Sequence, residues 1–402
     1  VYFVLSICCE SQLLKAMKIC YVLPQYYQNS TENFYHIINF LSELGKKVEL
    51  YVVIEHSDQT KPIIKNAKNI FILEDGSKTI SALGRVIRLI NIYFKLRKKG
   101  VGIFFARASL TGVLPLILAN RFLNFNRASV VFWSCGQDVV PLSFSPSKKN
   151  IKRLISKLLA WIAFRGINYL ATGPELMVDY YHQYYKIPRR KILTLYNDIS
   201  LDRFYPLPTQ ERKIKKKEIL STNKSVMLFV HTFNQCRGAN LLPVIAKEIK
   251  NRGLGVVIVA IGRPGDYSNE LERLIDKDNL QHCLLNLGEV ANKDIAKYYQ
   301  LADLFLMPSR GEGFPRVLLE AMACGCPTLS FEVGGVANIL PVDSIKELLI
   351  PLDDESKFIE QSIKLINDQK LLEELSKYSH QKAKQYRTEN IVDMYIDRLS
   401  DI

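Results

Sequence analysis

From Lys18 onward, short runs rich in Val, Ile, Leu and Phe alternate with stretches whose apolar residues recur at helical spacing, and the whole alternation is played through twice. "KICYVLP" reads as a first strand. "TENFYHIINFLSELGKK" reads as a helix with Phe34, Ile37, Ile38, Leu41 and Leu44 on one side, stopping at Gly45. "KVELYVVI", "NIFILE", "VGIFFARA", "SVVFWSCG" and "INYLAT" follow as strands. Residues 202–225, "DRFYPLPTQERKIKKKEILSTNKS", read as a linker because of their prolines and lysine run. The rhythm then restarts at "VMLFVHTF" and passes through "LGVVIVAIG", "CLLNLGEV" and "DLFLMPS". Strands that alternate with helices predict a parallel sheet covered on both faces. Two rounds in 402 residues predict an α/β chain of two doubly wound domains facing across a cleft. Sheets of this kind bind ligands beyond the carboxyl ends of their strands.

Several function classes are disfavoured. "KICYVLP" is followed by "QYYQNSTENF" and "VMLFVHTF" by "NQCRGANLL", so neither first strand leads into G-x-G-x-x-G, which argues against a dinucleotide oxidoreductase. No Walker lysine loop is present. The eight cysteines are scattered without paired zinc spacing and the six histidines do not cluster. They read as reduced core thiols of a cytoplasmic protein. No apolar run reaches the ~18 residues of a membrane span. Residues 1–16, "VYFVLSICCESQLLKA", lack the basic start of a signal peptide; they read as an extension upstream of Met17, with a short hydrophobic anchor as the alternative.

The net charge of +14 is uneven. Residues 1–205 hold 28 Lys+Arg against 13 Asp+Glu, and residues 206–402 hold 26 against 27. The first half should therefore meet an anionic partner. Two stretches, residues 83–99 and 147–166, mix cations with Leu, Ile, Phe and Trp161. Each fits a helix lying on anionic lipid, and equally a sheet-covering helix with a solvated basic face. No basic–aromatic module of a nucleic-acid binder appears. Together they predict a cytoplasmic protein, peripheral on the inner face of the cell membrane, with no nucleic-acid partner.

The most specific stretch is "GEGFPRVLLEAMACGCP", residues 311–327. Gly311 and Gly313 permit a tight loop, Pro315 suits a first helical turn, and Gly325 suits a helix end. The helix N-terminus offers free N–H groups that suit phosphate. Glu312 lies in the loop, and Glu320 lies ~7 Å deeper at 1.5 Å per residue. Two acceptor-only groups at those depths suit two hydroxyl-bearing parts of one extended ligand, as in a sugar nucleotide. Alternatively, Glu320 faces water on an amphipathic helix and Glu312 is a surface loop residue.

This segment resembles the E-x7-E signature of glycosyltransferase family 4, retaining enzymes with two Rossmann-like domains, the GT-B fold. The likeness extends through "LGEVANKDIAKYYQLADLFLMPSRGEGFPRVLLEAMACGCPTLSFEVGG". It includes "MKICYVLP", "ATGPELMVDYYHQYYKIPRRKILTLYNDISLDRFYP" and the C-terminal "QYRTENIVDMYIDRL", and so covers residues 17–402. The resemblance implies an acceptor-binding domain at 17–207, joined by a crossover helix at about 386–402, and a donor-binding domain at 208–385. Glu320 would hold the donor ribose and Glu312 the transferred sugar. Gly313 and Phe314 would line the sugar and phosphate, and Arg237-Gly238 would stand where the family has Lys-Gly at the diphosphate.

The family's second phosphate-binding cation falls here at Thr232, the usual Gly-Gly after the first strand is missing, Asp198 stands at a common glycine, and Asn338 at a common acid. Arg263 or Arg310 could supply the missing charge. Asp138 in "WSCGQDVVP" would orient substrate hydroxyls, or is a turn residue; His231 lies near the expected diphosphate, or is structural. "DKD" at 276–278 imitates a metal-binding D-x-D but falls at a surface helix end, and no metal or other cofactor is expected. The implied reaction moves a hexose or N-acetylhexosamine from a nucleoside-diphosphate sugar to a glycan or lipid-linked acceptor of a surface polysaccharide. The alternatives are a non-catalytic sugar-nucleotide binder of the same assembly system and a related enzyme on the same fold.

Overall fold

Strand β1 (Lys18–Tyr26) is apolar and buried through its middle, and it pairs in parallel with β2 (Glu49–Ser57) on one side and β4 (Ile103–Arg107) on the other. β3 (Ala67–Glu74), β5 (Ser129–Trp133), β6 (Tyr169–Thr172) and β7 (Ile192–Thr194) complete a seven-stranded sheet of order β3-β2-β1-β4-β5-β6-β7. The computed structural model describes residues 17–27, 36–58, 61–76, 80–122, 127–135, 148–340 and 346–402, with the backbone alone for 148–156 and 346. The proposed extension at 1–16 and Asp138 lie outside the described residues.

This first unit runs to Tyr196 and takes back Thr388–Ile402. Its helices are α1 (Ile37–Lys47), α2 (Ala82–Lys98), α3 (Leu110–Arg121), α4 (Lys148–Gly166) and α5 (Glu175–Tyr185). Leu96, Leu116, Phe164 and Tyr181, from α2 to α5, share one core cluster and so cover the same sheet face. The C-terminal helix Thr388–Ser400 packs with α1: Phe40 and Tyr395 meet edge to face at 4.8 Å, and Lys47 pairs with Asp393.

α1 runs through Gly45 rather than stopping there. A Cβ on Gly45 would lie 3.0 Å from the Asn66 carbonyl oxygen, so close backbone packing explains the glycine. Its place after an apolar run gives it the look of a stop signal, which its contact with Asn66 overrides.

The second unit, Asn197–Arg387, carries β8 (Ser225–Val230), β9 (Val256–Ile261), β10 (Leu284–Asn286), β11 (Leu304–Met307), β12 (Thr328–Phe331) and β13 (Leu349–Ile350). Their order is β10-β9-β8-β11-β12-β13, all parallel. Every residue of β9, "VVIVAI", is buried, as a strand covered on both faces requires. In each sheet the first strand lies between the second and the fourth, which is the reversal of order that opens a ligand crevice in doubly wound folds.

Ahead of the second unit's helices α7 (Leu242–Asn251), α8 (Ser268–Lys277) and α9 (Ile295–Leu301), residues read as linker form a helix, α6 (Thr209–Leu220). The lysine run hid its purpose. Arg212 donates to both the Ala302 carbonyl and Asp303 Oδ1 at 2.6 Å, and Lys216, one turn on, holds Asp303 Oδ2 at 2.8 Å. The Val226 N–H also donates to Asp303, so helix, strand entry and carboxylate form one joint.

Candidate active site

β8 and β11 are neighbours at the reversal of strand order, and their carboxyl ends position the site. After β8 come His231 and Thr232, then a short turn, Gln235–Arg237, that ends on Gly238 with φ of 77°. Gly238 has no substitute: its backbone is left-handed, and a Cβ would strike the Pro308 carbonyl. After β11 come Pro308, Ser309, the loop 310–315 and the helix α10 (Arg316–Ala323).

Arg237 Nη1 donates to Glu312 Oε1 at 2.7 Å, to Ser309 Oγ at 3.3 Å, and to the Gly311 carbonyl. Among the described residues, its Nε and Nη2 take no partner. His231 Nε2 stands 3.5 Å from the same Glu312 oxygen. The Thr232 N–H donates to His231 Nδ1 at 2.8 Å, so the ring proton sits on Nε2, facing Glu312. Burial alone would raise the Glu312 pKa, but the hydrogen bond from His231 and the Arg237 charge outweigh it and hold the carboxyl below its usual value. Glu312 is an ionised, nearly buried acceptor with a cation beside it. The sequence reading gave the two residues different parts of a ligand; the structure brings them together.

The loop is pinned from both sides. The Gly335 N–H donates to the Gly313 carbonyl at 2.9 Å, and a Cβ on Gly334 would overlap the Glu312 carbonyl. Phe314 is buried, and its carbonyl accepts from Asn197 Nδ2 at 3.0 Å. Arg316 Nη1 donates to the Asp198 carbonyl at 3.0 Å, which gives that residue a purpose in holding the first turn of α10. Among the described residues no side chain caps α10, and the start of a helix suits an anion.

Glu320 is the fifth residue of α10, ~6 Å along the axis from Arg316. It is part-exposed while its neighbours Leu319 and Ala321 are buried. Behind it stands Tyr299, in the helix that follows β10. Its ring is fully buried and its hydroxyl has no hydrogen-bond partner among the described residues. Burial first, then the Glu320 charge, hold that phenol well above its usual pKa.

Of the two cations suggested to replace the one missing at Thr232, Arg310 is engaged elsewhere. Its Nε meets Asp353 at 2.9 Å, its Nη1 donates to the Gln235 carbonyl at 2.9 Å, and it also pairs with Glu355. Arg263 is exposed just past β9, where its carbonyl accepts the Phe233 N–H at 3.0 Å, so it lies on the same sheet edge. The "DKD" carboxylates are used locally: Asp278 pairs with Lys247 at 2.7 Å, and Asp276 accepts from Gln281 at 3.0 Å. Among the described residues no three His, Cys, Asp or Glu side chains gather as a metal site. Asn197 and Ser309 went unread in the sequence. Ser309 is 1% exposed beside Arg237, but "MPS" is ordinary strand-end composition and carries no signal of it.

Residues 210–382 match the family of glycosyl transferases group 1. Over 362 residues the chain is 25% identical to UDP-Gal:alpha-D-GlcNAc-diphosphoundecaprenol alpha-1,3-galactosyltransferase of Escherichia coli, covering 88% of this chain and 90% of that protein. Over 301 residues it is 23% identical to N-acetyl-alpha-D-glucosaminyl L-malate synthase of Bacillus anthracis, covering 74% of each. Among solved structures, the Anabaena protein HepE in complex with UDP and glucose superposes with a TM-score of 0.74 at 16% identity, covering 96% of this chain and 100% of that one. His231, Arg237, Glu312 and Glu320 all fall inside the matched segment. Residues 210–382 thus carry the sequence of glycosyl transferases group 1, in a chain whose two parallel sheets have the GT-B fold of glycosyltransferases.

Proposed function

We propose that this chain is a retaining glycosyltransferase. It moves a hexose or N-acetylhexosamine from a nucleoside-diphosphate sugar to a glycan or lipid-linked acceptor in surface polysaccharide assembly. The observation that carries the reading is the Arg237–Glu312 pair beside the uncapped N-terminus of α10, within the segment that matches the family. The E. coli relative, named for transfer from UDP-Gal to a diphosphoundecaprenol-linked sugar, supports the lipid-linked acceptor.

In this reading Nε and Nη2 of Arg237 take the donor diphosphate together with the first-turn N–H groups of α10. Glu312, kept ionised, accepts from hydroxyls of the transferred sugar. Glu320 accepts from the ribose diol. The bond from the anomeric carbon to the diphosphate oxygen breaks as the acceptor oxygen adds on the same face, and the departing phosphate takes the acceptor proton. A fixed cation and N–H dipoles stabilise the leaving charge, so transfer is proposed to need no metal. Arg263 and Asp138 complete the proposed donor and acceptor contacts.

The test is thermal stabilisation by UDP, GDP, ADP and their sugars, in wild type and Glu320→Ala. A nucleotide at 100 times its dissociation constant should stabilise by ~2.7 kcal/mol, and Glu320→Ala should remove most of that shift. Failure of every nucleotide to stabilise a folded protein would overturn the reading. Stabilisation without any donor hydrolysis or transfer would favour the non-catalytic binder that Thr232 suggests. Undiminished transfer in excess chelator is the expected result for a metal-free reaction.

A further inference from the structure

Between Asp75 and Glu175 the chain carries one acidic residue, Asp138, against 16 Lys and Arg. α2, α3 and α4 contain no acid at all, even in their first turns, where a carboxylate would favour the helix dipole. Helix stability therefore does not explain the pattern. The three helices bury Tyr93, Leu116 and Phe164 in the same core cluster, so their opposite faces turn outward together.

Those outward faces are apolar where water-facing helices are normally polar. Phe122, just past α3, is 72% exposed, Leu83 is 69% and Trp161 is 49%. Ile87, Leu158 and Ile162 are exposed as well. Leu158, Trp161, Ile162 and Arg165 fall at spacings of three and four, one stripe along α4. The Arg165 guanidinium lies over the Trp161 ring at 4.1 Å. Arg88, Lys95 and Lys98 are exposed along α2. A single exposed Leu means little, but six large apolar side chains on an acid-free basic surface require a partner that is anionic and greasy at once.

We infer that the outward faces of α2, α3 and α4 form one surface that seats on an anionic lipid bilayer. The cations meet head groups, and Trp161, Ile162 and Phe122 enter the interfacial layer. Nucleic acid would match the charge but leave the Leu and Ile side chains wet. A second copy about a two-fold axis would set this acid-free surface against itself. Among the described residues no helix is long and apolar enough to cross a membrane, so contact from one side is the geometry these helices offer. The inference rests on the residues of the first unit and not on the transfer chemistry, so bilayer and nucleotide binding can fail separately.

The experiment is co-sedimentation of the full chain with vesicles of phosphatidylcholine alone or mixed with phosphatidylglycerol. The chain has two tryptophans; Trp133 is 9% exposed in β5, so a change in emission on binding reports Trp161. Binding is expected only with phosphatidylglycerol, with a blue shift that Trp161→Phe removes. It should weaken steeply toward ~1 M salt, where the Debye length is ~3 Å. Lys95→Gln and Lys98→Gln should each weaken it about fivefold, ~1 kcal/mol per charge. Ile162→Ser should weaken it at every ionic strength. All these positions are exposed, and unchanged unfolding midpoints identify folded variants. The inference is overturned by no binding to anionic vesicles, by binding without the Trp161 shift, or by indifference to variants on both helices. It is equally overturned if these variants instead abolish tight nucleic-acid binding or dissolve a dimer.

Discussion

Glu55 and Glu312 are two nearly buried carboxylates, each toward the carboxyl end of its own sheet, and they are held in opposite ways. Glu312 has a guanidinium at 2.7 Å and an imidazole at 3.5 Å, and its carboxyl is held below the usual range. Glu55, 3% exposed in β2, takes its side-chain hydrogen bonds, among the described residues, from hydroxyls: Ser109, and Thr111 at 2.6 Å. Burial therefore raises its pKa, and the hydroxyls offset this only in part. The contrast runs against overall charge, because the cation-rich unit is the one whose carboxylate, among the described residues, has no ion pair, and Arg85 and His56 act on it only from a distance. Arg85 and His56, close by, are both engaged by Glu74, at 2.7 and 3.1 Å. Net charge says where a partner is expected; it does not say which carboxylate is ionised.

The largest effect should come from removing the cation that distinguishes Glu312. Arg237→Met should lower kcat/KM for transfer by about 10²–10³-fold, the scale for losing a positioned charge at a leaving group. It should also change the acid limb of stability. The depressed pKa of Glu312 means that its contribution is present above the ordinary carboxylate value and lost as pH falls through the lower folded value. In Arg237→Met that contribution should shrink or reverse, and unfolding midpoints against pH check it. Unchanged kcat/KM in the variant would remove the basis for setting Glu312 apart from Glu55.

Next in size is the joint made by α6. Asp303 is held by Arg212 and Lys216 with little exposure, so Asp303→Ala leaves two cations without their carboxylate. A loss of ~3 kcal/mol in unfolding free energy is expected, with kcat little changed below the transition. Smaller again is Arg310→Gln. Its guanidinium is already taken by Asp353 and Glu355, so nucleotide affinity should fall by less than ~3-fold, a shift of under ~1 kcal/mol. An effect as large as that of Arg237→Met would show that Arg310 leaves its acids to meet the diphosphate.

The elements most legible in the sequence are those whose signal is local. "VVIVAI" announces a covered strand because all its side chains must leave water, and the same holds for "LFLM" at β11. The E-x7-E spacing placed Glu320 on a helix and Glu312 in its preceding loop, because loop, proline and apolar periodicity all fall within ten residues. What went unread is long-range. α6 looked like linker because the partner of Arg212 lies 91 positions away. Gly45 looked like a stop because the Asn66 backbone that needs its small size follows only after another strand. The Arg237–Glu312 pair spans 75 positions and appears only once β8 and β11 are neighbours.

The smallest expected effect is the sharpest test of the contrast. Glu55→Gln keeps the shape and a hydrogen-bonding end toward Ser109 and Thr111 but removes the charge that burial disfavours. A carboxyl whose folded pKa lies above its unfolded value adds stability that is fully present below the unfolded value and is lost as pH rises through the folded one. At neutral pH the variant should therefore equal or exceed wild type, by no more than ~1 kcal/mol. As pH falls through the carboxylate range, wild type should gain on it. The matching Glu312→Gln should show the reverse: it removes an ionised group already matched by its neighbours, so wild type should lead at neutral pH and lose that lead in acid. If the two variants instead gave stability differences from wild type of the same sign and the same pH trend, the partners at 2.7 Å and 3.5 Å would not be what sets the state of Glu312.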